Sequence, residues 1–456
     1  MPVKDTIVAL ATPPGRSGIG VIRLSGSRSL EISRHLIQDE NFVPAPNRAT
    51  LKKLSDPITG EILDYALLTY FKSPHSFTGE DIVELSCHGS PVLLRHLIDL
   101  LLSLDARLAG PGEFTLRALA NGRLNLSQAE AIRDLINAQT QAAVKQATRQ
   151  LGGELSALLQ PLKDLLLDII VPLESSLEFV EDDLPDIVVS QFQAKLSTLI
   201  NHIEQIASTF TTGRLIRDGL KVTLMGRPNV GKSSVFNRLL GVDRAIVTSA
   251  PGTTRDSLSE AINIQGAPVF LTDTAGLRIS ADLIENLGVE RTRRAVADSD
   301  LIIVVLDGSE PRNLQDYEVF NEVAHNNYLI AVNKSDLETF KEIELEQKSK
   351  ETIPIINISA KTGEGFDSLR DAILEPFATS EVSNSGLLIT DARHFDLLRR
   401  TQSALRSSAD LLEERASEEL VLIGLYDALR FLGEITGETT TEDILSQIFA
   451  TFCIGK

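Results

Sequence analysis

Residues 220 to 234 read Leu-Lys-Val-Thr-Leu-Met-Gly-Arg-Pro-Asn-Val-Gly-Lys-Ser-Ser. That is an apolar strand, a loop bounded by Gly226 and Gly231, and the start of a helix. The loop has the spacing G-x-x-x-x-G-K-[ST], in the strand-to-helix setting where that pattern forms a phosphate cradle. Two glycines let the backbone curl so that successive N–H groups point at one anion, and the helix end adds its partial positive charge. Lys232 is expected to bridge the outer phosphates, and Ser233 to offer its hydroxyl to Mg²⁺. Few other folds accommodate this segment, so the middle of the chain is expected to be a P-loop α/β domain.

The companion motifs follow in order. Residues 268–276, Pro-Val-Phe-Leu-Thr-Asp-Thr-Ala-Gly, carry an apolar run into Asp273 and Gly276. Asp273 is placed to hold the Mg²⁺ hydration shell, and the Gly276 N–H to sense the γ-phosphate. Apolar runs at 301–306 and 328–332 come next, the second leading into Asn333-Lys334-Ser335-Asp336. A carboxylate at Asp336 accepts from guanine N1–H and the 2-amino group, a donor pair that adenine lacks, which selects GTP. A short strand at 355–358 leads into Ser359-Ala360-Lys361, whose backbone is expected to touch the base oxygen. Each polar motif falls past the C-terminal end of a predicted strand, where open α/β sheets bind ligands. Nucleotide contacts are therefore expected from Asn229, Val230, Gly231, Lys232, Ser233 and Ser234. Further contacts are expected from Asp273, Thr274, Ala275 and Gly276, and from Asn333, Lys334, Asp336, Ser359, Ala360 and Lys361.

Between the loop and Asp273 lies a first switch segment, with Thr248, Ser249, Ala250, Pro251, Gly252, Thr253, Thr254 and Arg255-Asp256. Thr254 is the natural second hydroxyl for Mg²⁺, although spacing does not choose between it and Thr253. Ras-like GTPases place a glutamine after the Asp-x-x-Gly motif to orient water. Here that position is Leu277, so another group must position the nucleophile and something must replace the arginine finger.

The chain has 456 residues, enough for two to four domains. No apolar run approaches the ~18–20 residues of a membrane span, and the N-terminus lacks a signal-peptide core. Cys87 and Cys453 are the two cysteines, and they make no C-x-x-C pair. That excludes a disulfide framework and suits a reducing cytoplasm. The net charge of −19 argues against generalised nucleic-acid affinity, which rests on cations neutralising phosphates.

Three textures divide the chain. Residues 1–120 alternate short strands (6–11, 20–24, 64–71, 82–86) with helices (29–38, 91–103), an α+β pattern. Residues 121–217 are helical, opening on Ser127-Gln-Ala-Glu130 as a capping box. Residues 218–378 hold the nucleotide motifs, and 379–456 return to helix. The expected architecture is multidomain: an N-terminal α+β domain, then a discontinuous helical bundle with a Ras-like P-loop domain inserted. The final Cys453-Ile-Gly-Lys456 imitates a prenylation box poorly. Its thiol is either a buried structural group or, on a tail this near a terminus, exposed enough to react.

These motifs, with Ala11-Thr-Pro-Pro-Gly-Arg-Ser-Gly-Ile-Gly20 before them and the terminal Cys-Ile-Gly-Lys after, closely resemble the MnmE (TrmE) family of tRNA-modification GTPases. The resemblance spans the whole chain. It implies an N-terminal domain that forms a homodimer and binds 5-formyl- or 5,10-methylene-tetrahydrofolate through Arg23, Glu80, Arg123 and Lys456. The family often has lysine at the Arg123 position, and arginine keeps that charge with a different geometry. The resemblance also implies G domains that dimerise around K⁺, held by Asn229, Thr248, Thr253 and the Ala250 carbonyl, with Glu285 orienting the attacking water. Lys232 and Cys453 complete the implied catalytic set. A FAD-dependent MnmG-type partner, in a heterotetramer or larger complex, would act with the chain on the wobble uridine of certain tRNAs. The rival expectation is a GTP-regulated ribosome-assembly switch without covalent chemistry. Such switches append a basic module after the G domain, whereas here the tail is acidic to neutral.

Overall fold

The computed structural model describes residues 5–178, 186–242, 259–273, 295–341, 353–378, 386–438, 445 and 448–455. It divides into two compact units. One comprises 1–136, 149–181 and 418–456, the other 137–148 and 182–417.

The first unit is built on a sheet in the order β3-β4-β5-β2-β1-β6. Its strands are β1 (Thr6–Leu10), β2 (Ser17–Ser25), β3 (Ala49–Ser55), β4 (Ile62–Phe71), β5 (Ile82–Gly89) and β6 (Ala106–Leu108). All neighbours are antiparallel except β1 with β6. Along β4 buried and exposed side chains alternate, as expected of a sheet with one face on the core. Helices α1 (Ser29–Ile37) and α2 (Pro91–Ser103) cover that face, and Leu36, Leu97 and Leu101 are among the side chains fully buried there. Pro91 opens α2 at the first helical position, where its missing N–H costs nothing. Strands β3 and β6 were absent from the sequence reading. Leu51 and Lys53 of β3 face solvent, so the residues carry little apolar alternation to betray a strand.

After α3 (Glu113–Ala120), the helix α4 (Leu126–Asn137) begins two residues earlier than the expected capping box. Asn125 is the cap. Its Oδ1 accepts from the Gln128 amide at 2.9 Å, and Gln128 Oε1 accepts from the Asn125 amide at 3.0 Å. Ser127 lies inside the helix and donates to Asn125 Oδ1, 2.9 Å. Both residue pairs fit the box pattern, and the local backbone selected the Asn-x-x-Gln pair. Helix α5 (Gln141–Leu151) follows, and α6 (Glu154–Glu178) packs with the C-terminal helix within this unit.

The second unit holds α7 (Asp186–Ser208), α8 (Phe210–Asp218) and a sheet in the order β12-β11-β10-β7-β9-β8. The strands are β7 (Leu220–Met225), β8 (Ser259–Ile264), β9 (Ala267–Asp273), β10 (Leu301–Asp307), β11 (Tyr328–Asn333) and β12 (Ile355–Asn357). Neighbours are parallel except β8 with β9. Strand β10 is central and buried along its whole length, which is why it reads as an unbroken apolar run. Helices α9 (Lys232–Val242), α10 (Leu314–Val323) and α11 (Phe366–Ala378) flank the sheet. The two long helices after the nucleotide domain are α12 (Ala392–Glu413) and α13 (Glu418–Thr436). Helix α12 packs on α7, and α13 packs on α6. Each pair joins a helix preceding the nucleotide domain to one following it.

Candidate nucleotide site and N-terminal cluster

In the α/β unit, strand order reverses between β7 and β10, and the loop after β7 emerges at that switch point, where ligands bind in open sheets. The loop takes three left-handed or near-left-handed turns, at Gly226 (φ 150°), Asn229 (67°) and Gly231 (97°). At two of them only glycine fits. A Cβ on Gly226 would lie 2.4 Å from the Val305 carbonyl oxygen, and one on Gly231 2.3 Å from Asn333 Nδ2. Val230 is buried in the core, so its side chain anchors the loop and only its backbone is available to a ligand. Lys232 starts α9 and is itself buried, its Nζ donating to the carbonyls of Gly226 (2.9 Å) and Arg227 (2.8 Å). The cation is thereby held inside the loop. Ser233 Oγ donates to Asp273 Oδ2 at 2.9 Å, so the two oxygen donors assigned to a hard cation meet at the helix N-terminus. Ser234 is exposed beside them.

The base-reading end is a network around Asn333, which is 3% exposed. Its Nδ2 donates to the Val230 carbonyl (2.9 Å), and its Oδ1 accepts from the Ala360 amide (3.0 Å). One side chain thus ties the phosphate loop to both loops at the ends of β11 and β12. Replacing Asn333 with alanine strips two buried backbone groups of their partner, at about 1–3 kcal/mol each. We expect a loss of about 2–6 kcal/mol in urea unfolding, with GDP affinity falling in parallel. An unchanged midpoint would show that Asn333 does not fasten these loops.

Lys334 (φ 71°) pairs with Asp307. Burial pushes the Asp307 carboxyl up, but Lys334 and two bonds from Ser309 together hold it below the ordinary value. Asp336 Oδ1 accepts from the Ser359 hydroxyl at 2.7 Å, and Lys361 Nζ stands 4.0 Å from Oδ2. The Ser359 bond, more than any other influence, holds the Asp336 carboxyl below the usual range. It is therefore an ionised, aimed acceptor at neutral pH. Ser359 was predicted for its backbone, yet its side chain does the aiming. Arg238 on α9 was missed by the sequence reading. It donates to the carbonyls of Ala360 (3.4 Å), Lys361 (3.0 Å) and Thr362 (2.7 Å), which orients that loop's amides inward.

The predicted switch residues Thr248, Ser249, Ala250, Pro251, Gly252, Thr253 and Thr254 lie outside the described residues. So do Thr274, Ala275, Gly276, Leu277, Glu285 and Lys456.

In the first unit, three of the predicted N-terminal ligand residues share one region. Arg23 bonds Glu84 through Nε at 2.8 Å and donates to the Gly455 carbonyl at 3.3 Å, with Phe114 and Phe77 within cation–π range. Glu80 accepts from the Ser25 hydroxyl at 2.7 Å and from Arg117 at 3.1 Å. The stem of Arg123 lies over Gly79, next to Glu80. Arg117 escaped the sequence reading, although its spacing from Glu113, one helical turn, is that of an ion pair, and the two do pair at 3.0 Å.

The C-terminal tail does not fray as expected. Phe449 and Phe452 pack around Leu126 and Ala129, Ile454 bridges to Pro111, and the Gly112 amide donates to the Cys453 carbonyl. This docking leaves the Cys453 side chain exposed, which settles the alternative of a buried structural thiol. Cys87 is the opposite case: burial, then the nearby Asp64 charge, push its thiol up to about 12. Among the described residues no helix is long and apolar enough to cross a membrane.

Residues 126–453 match the MnmE helical domain, and residues 6–123 match the N-terminus of the GTP-binding protein TrmE. The tRNA modification GTPase MnmE of Koribacter versatilis is 42% identical over 459 residues, covering all of both chains. That of Aquifex aeolicus is 41% identical over 455 residues, again covering all of both. Among solved structures, the G domain of the T. maritima FeoB iron transporter is 29% identical over 34% of this chain and 98% of its own, with TM-score 0.27.

Proposed function

Because this chain belongs to the MnmE family of tRNA modification GTPases, we propose that it hydrolyses GTP to drive modification of the wobble uridine in certain tRNAs. With a FAD-dependent partner it would build an aminomethyl or carboxymethylaminomethyl group on C5 of that base, using a tetrahydrofolate one-carbon unit. The observation that carries this reading is the pair of sites on one chain. One is the glycine-bounded loop with Lys232, Ser233 and Asp273, tied through Asn333 to the loop that aims Asp336; the other is the cluster where Arg23 bonds the Gly455 carbonyl of the tail bearing an exposed thiol.

In the cradle, the loop amides and Lys232 bind the phosphates and Asp336 accepts from the guanine edge. Ser233 and Asp273 would hold Mg²⁺, which when bound neutralises charge on the transferring phosphoryl group. Asn229, at the exposed crest of the loop, is the described member of the oxygen set assigned to K⁺, with Thr248, Ala250 and Thr253 as the others. Glu285 would orient the water that Leu277 cannot. In the N-terminal domain Arg23, Glu80, Arg123 and Lys456 would hold the folate. Residues 1–120 would bind folate and dimerise, 218–378 would bind GTP, and 121–217 with 379–456 would form the helical domain. Ile19, Leu51, Tyr65 and Leu67 are exposed along the outward face of the first sheet, with Leu51 opposite Leu67. An apolar face of that kind favours a homodimer through this domain. A cytoplasmic setting fits the tRNA substrate.

Mass spectrometry of tRNA nucleosides from cells lacking the gene tests the whole reading: the C5-modified wobble uridines should disappear, and their persistence would refute it. A second test concerns the ion. An arginine finger is worth about 10³–10⁵ in rate, so even a partial ionic substitute should make hydrolysis roughly tenfold or more faster in K⁺ than in Na⁺. Equal rates in the two salts would remove the ion from the mechanism.

A further inference from the structure

Arg117 projects from α3 and is 7% exposed. Its Nη2 donates to Asp5 Oδ1 (2.7 Å) and Glu113 Oε1 (3.0 Å), and its Nη1 to the Asp5 carbonyl (3.0 Å) and Glu80 Oε2 (3.1 Å). The three carboxylates are not equivalent. Asp5 and Glu113 share a second cation, Arg107, at 2.7 and 2.6 Å. Among the described residues, the ion pair recorded for Glu80 is the one with Arg117. Ser25, itself fully buried and paired with Thr78, adds its 2.7 Å bond to the same oxygen, Oε2. Both lone-pair directions of Oε2 are thus occupied. Oε1 keeps only the longer 3.4 Å contact with Arg117, while the Glu80 side chain is 22% exposed. The carboxylate is clamped on one oxygen and open on the other.

We infer that Arg117, with Ser25, is the positioning residue that turns Glu80 Oε1 into a specific acceptor for the 2-amino group and adjacent ring N–H of a 2-amino-4-oxo pteridine. The inference rests on the folate reading above. A pteridine of that type presents the same adjacent N–H and amino donors as guanine. Asp336 meets the guanine edge with the same construction, a carboxylate with one oxygen held by a serine hydroxyl. A site built to accept from a donor rejects the analogue lacking it, because its own polar group is left unpaired. Discrimination for the 2-amino group should therefore depend on how rigidly Glu80 is aimed, and hence on Arg117, which need not touch the ligand.

The test is calorimetric binding of 5-formyl-tetrahydrofolate and of its 2-desamino-2-methyl analogue to the full chain. Wild type should prefer the parent by about 10–100-fold, the range expected when one partly buried acceptor is left without its donor. Arg117→Met should weaken parent binding by a similar factor and leave the analogue within about threefold, so that the preference collapses. Arg117→Lys should restore part of it, and Ser25→Ala, which keeps the cation, should reduce it by a smaller factor. Circular dichroism confirms that each variant is folded. If Arg117→Met does not fold, Ser25→Ala decides the matter: an unchanged preference overturns the proposal. Equal loss for both ligands in a folded Arg117→Met also overturns it, since Arg117 would then be only structural. That result would leave the folate reading intact. Absence of 5-formyl-tetrahydrofolate binding to wild type would sink both.

Discussion

Asp336→Asn should weaken GDP and GTP binding by about two to four orders of magnitude and shift preference toward xanthine nucleotides. Hydrogen bonds to charged groups contribute about 1.5–3 kcal/mol each, so losing the carboxylate's two bonds to guanine costs about 3–6 kcal/mol. An amide in its place points an N–H₂ at the guanine 2-amino group, donor against donor. Xanthine carries an acceptor oxygen at that position, which the amide can satisfy. The variant should still fold, because asparagine retains an oxygen for the Ser359 hydroxyl, which lies 2.7 Å from the carboxylate. Titration calorimetry with GDP, XDP and ADP measures the effect. A GDP affinity within about threefold of wild type would mean that another group reads the base.

For Cys453→Ser the expected result is complete loss of wobble-uridine modification in a protein that still hydrolyses GTP. The substitution is nearly isosteric, and the tail is held by groups that it leaves in place: Phe452 in its apolar cluster, the Ile454 bridge and the Gly112 bond to the Cys453 carbonyl. What changes is the chemistry of an exposed side chain. A cysteine thiol is intrinsically a strong nucleophile, whereas a serine hydroxyl without an adjacent base is a very weak one. Cys87 cannot stand in, since it is 2% exposed and its thiol is pushed up to about 12. Complementation of a strain lacking the gene, read by nucleoside mass spectrometry, separates the outcomes. Normal modification with serine would confine Cys453 to a structural part.

The phosphate loop, the Asp336 motif and the strands carrying them were legible because their physics is local. A left-handed loop needs glycine at fixed places, and buried parallel strands need continuous apolar runs, so Gly226, Gly231 and β10 announce themselves. The start of α4 was misplaced by two residues because two overlapping pairs each satisfy the capping pattern, and residue types alone do not choose between them. Strand β3 was missed for a related reason: with a solvated face and few buried residues it lacks the periodicity that marks a strand.

The chain's own residues pointed to an anion cradle, a candidate guanine acceptor and a tail thiol, and their resemblance to a family pointed to a candidate folate carboxylate. Tertiary structure decided how those groups are aimed. Asn333 joins loops from different strands, Arg238 holds the Ala360–Thr362 carbonyls from the neighbouring helix α9, Arg117 clamps Glu80, and the tail lies against Pro111 with its thiol outward. Each of these contacts links residues far apart in the chain. Their energy depends on distances and desolvation that exist only once the chain is packed, so no local pattern encodes them.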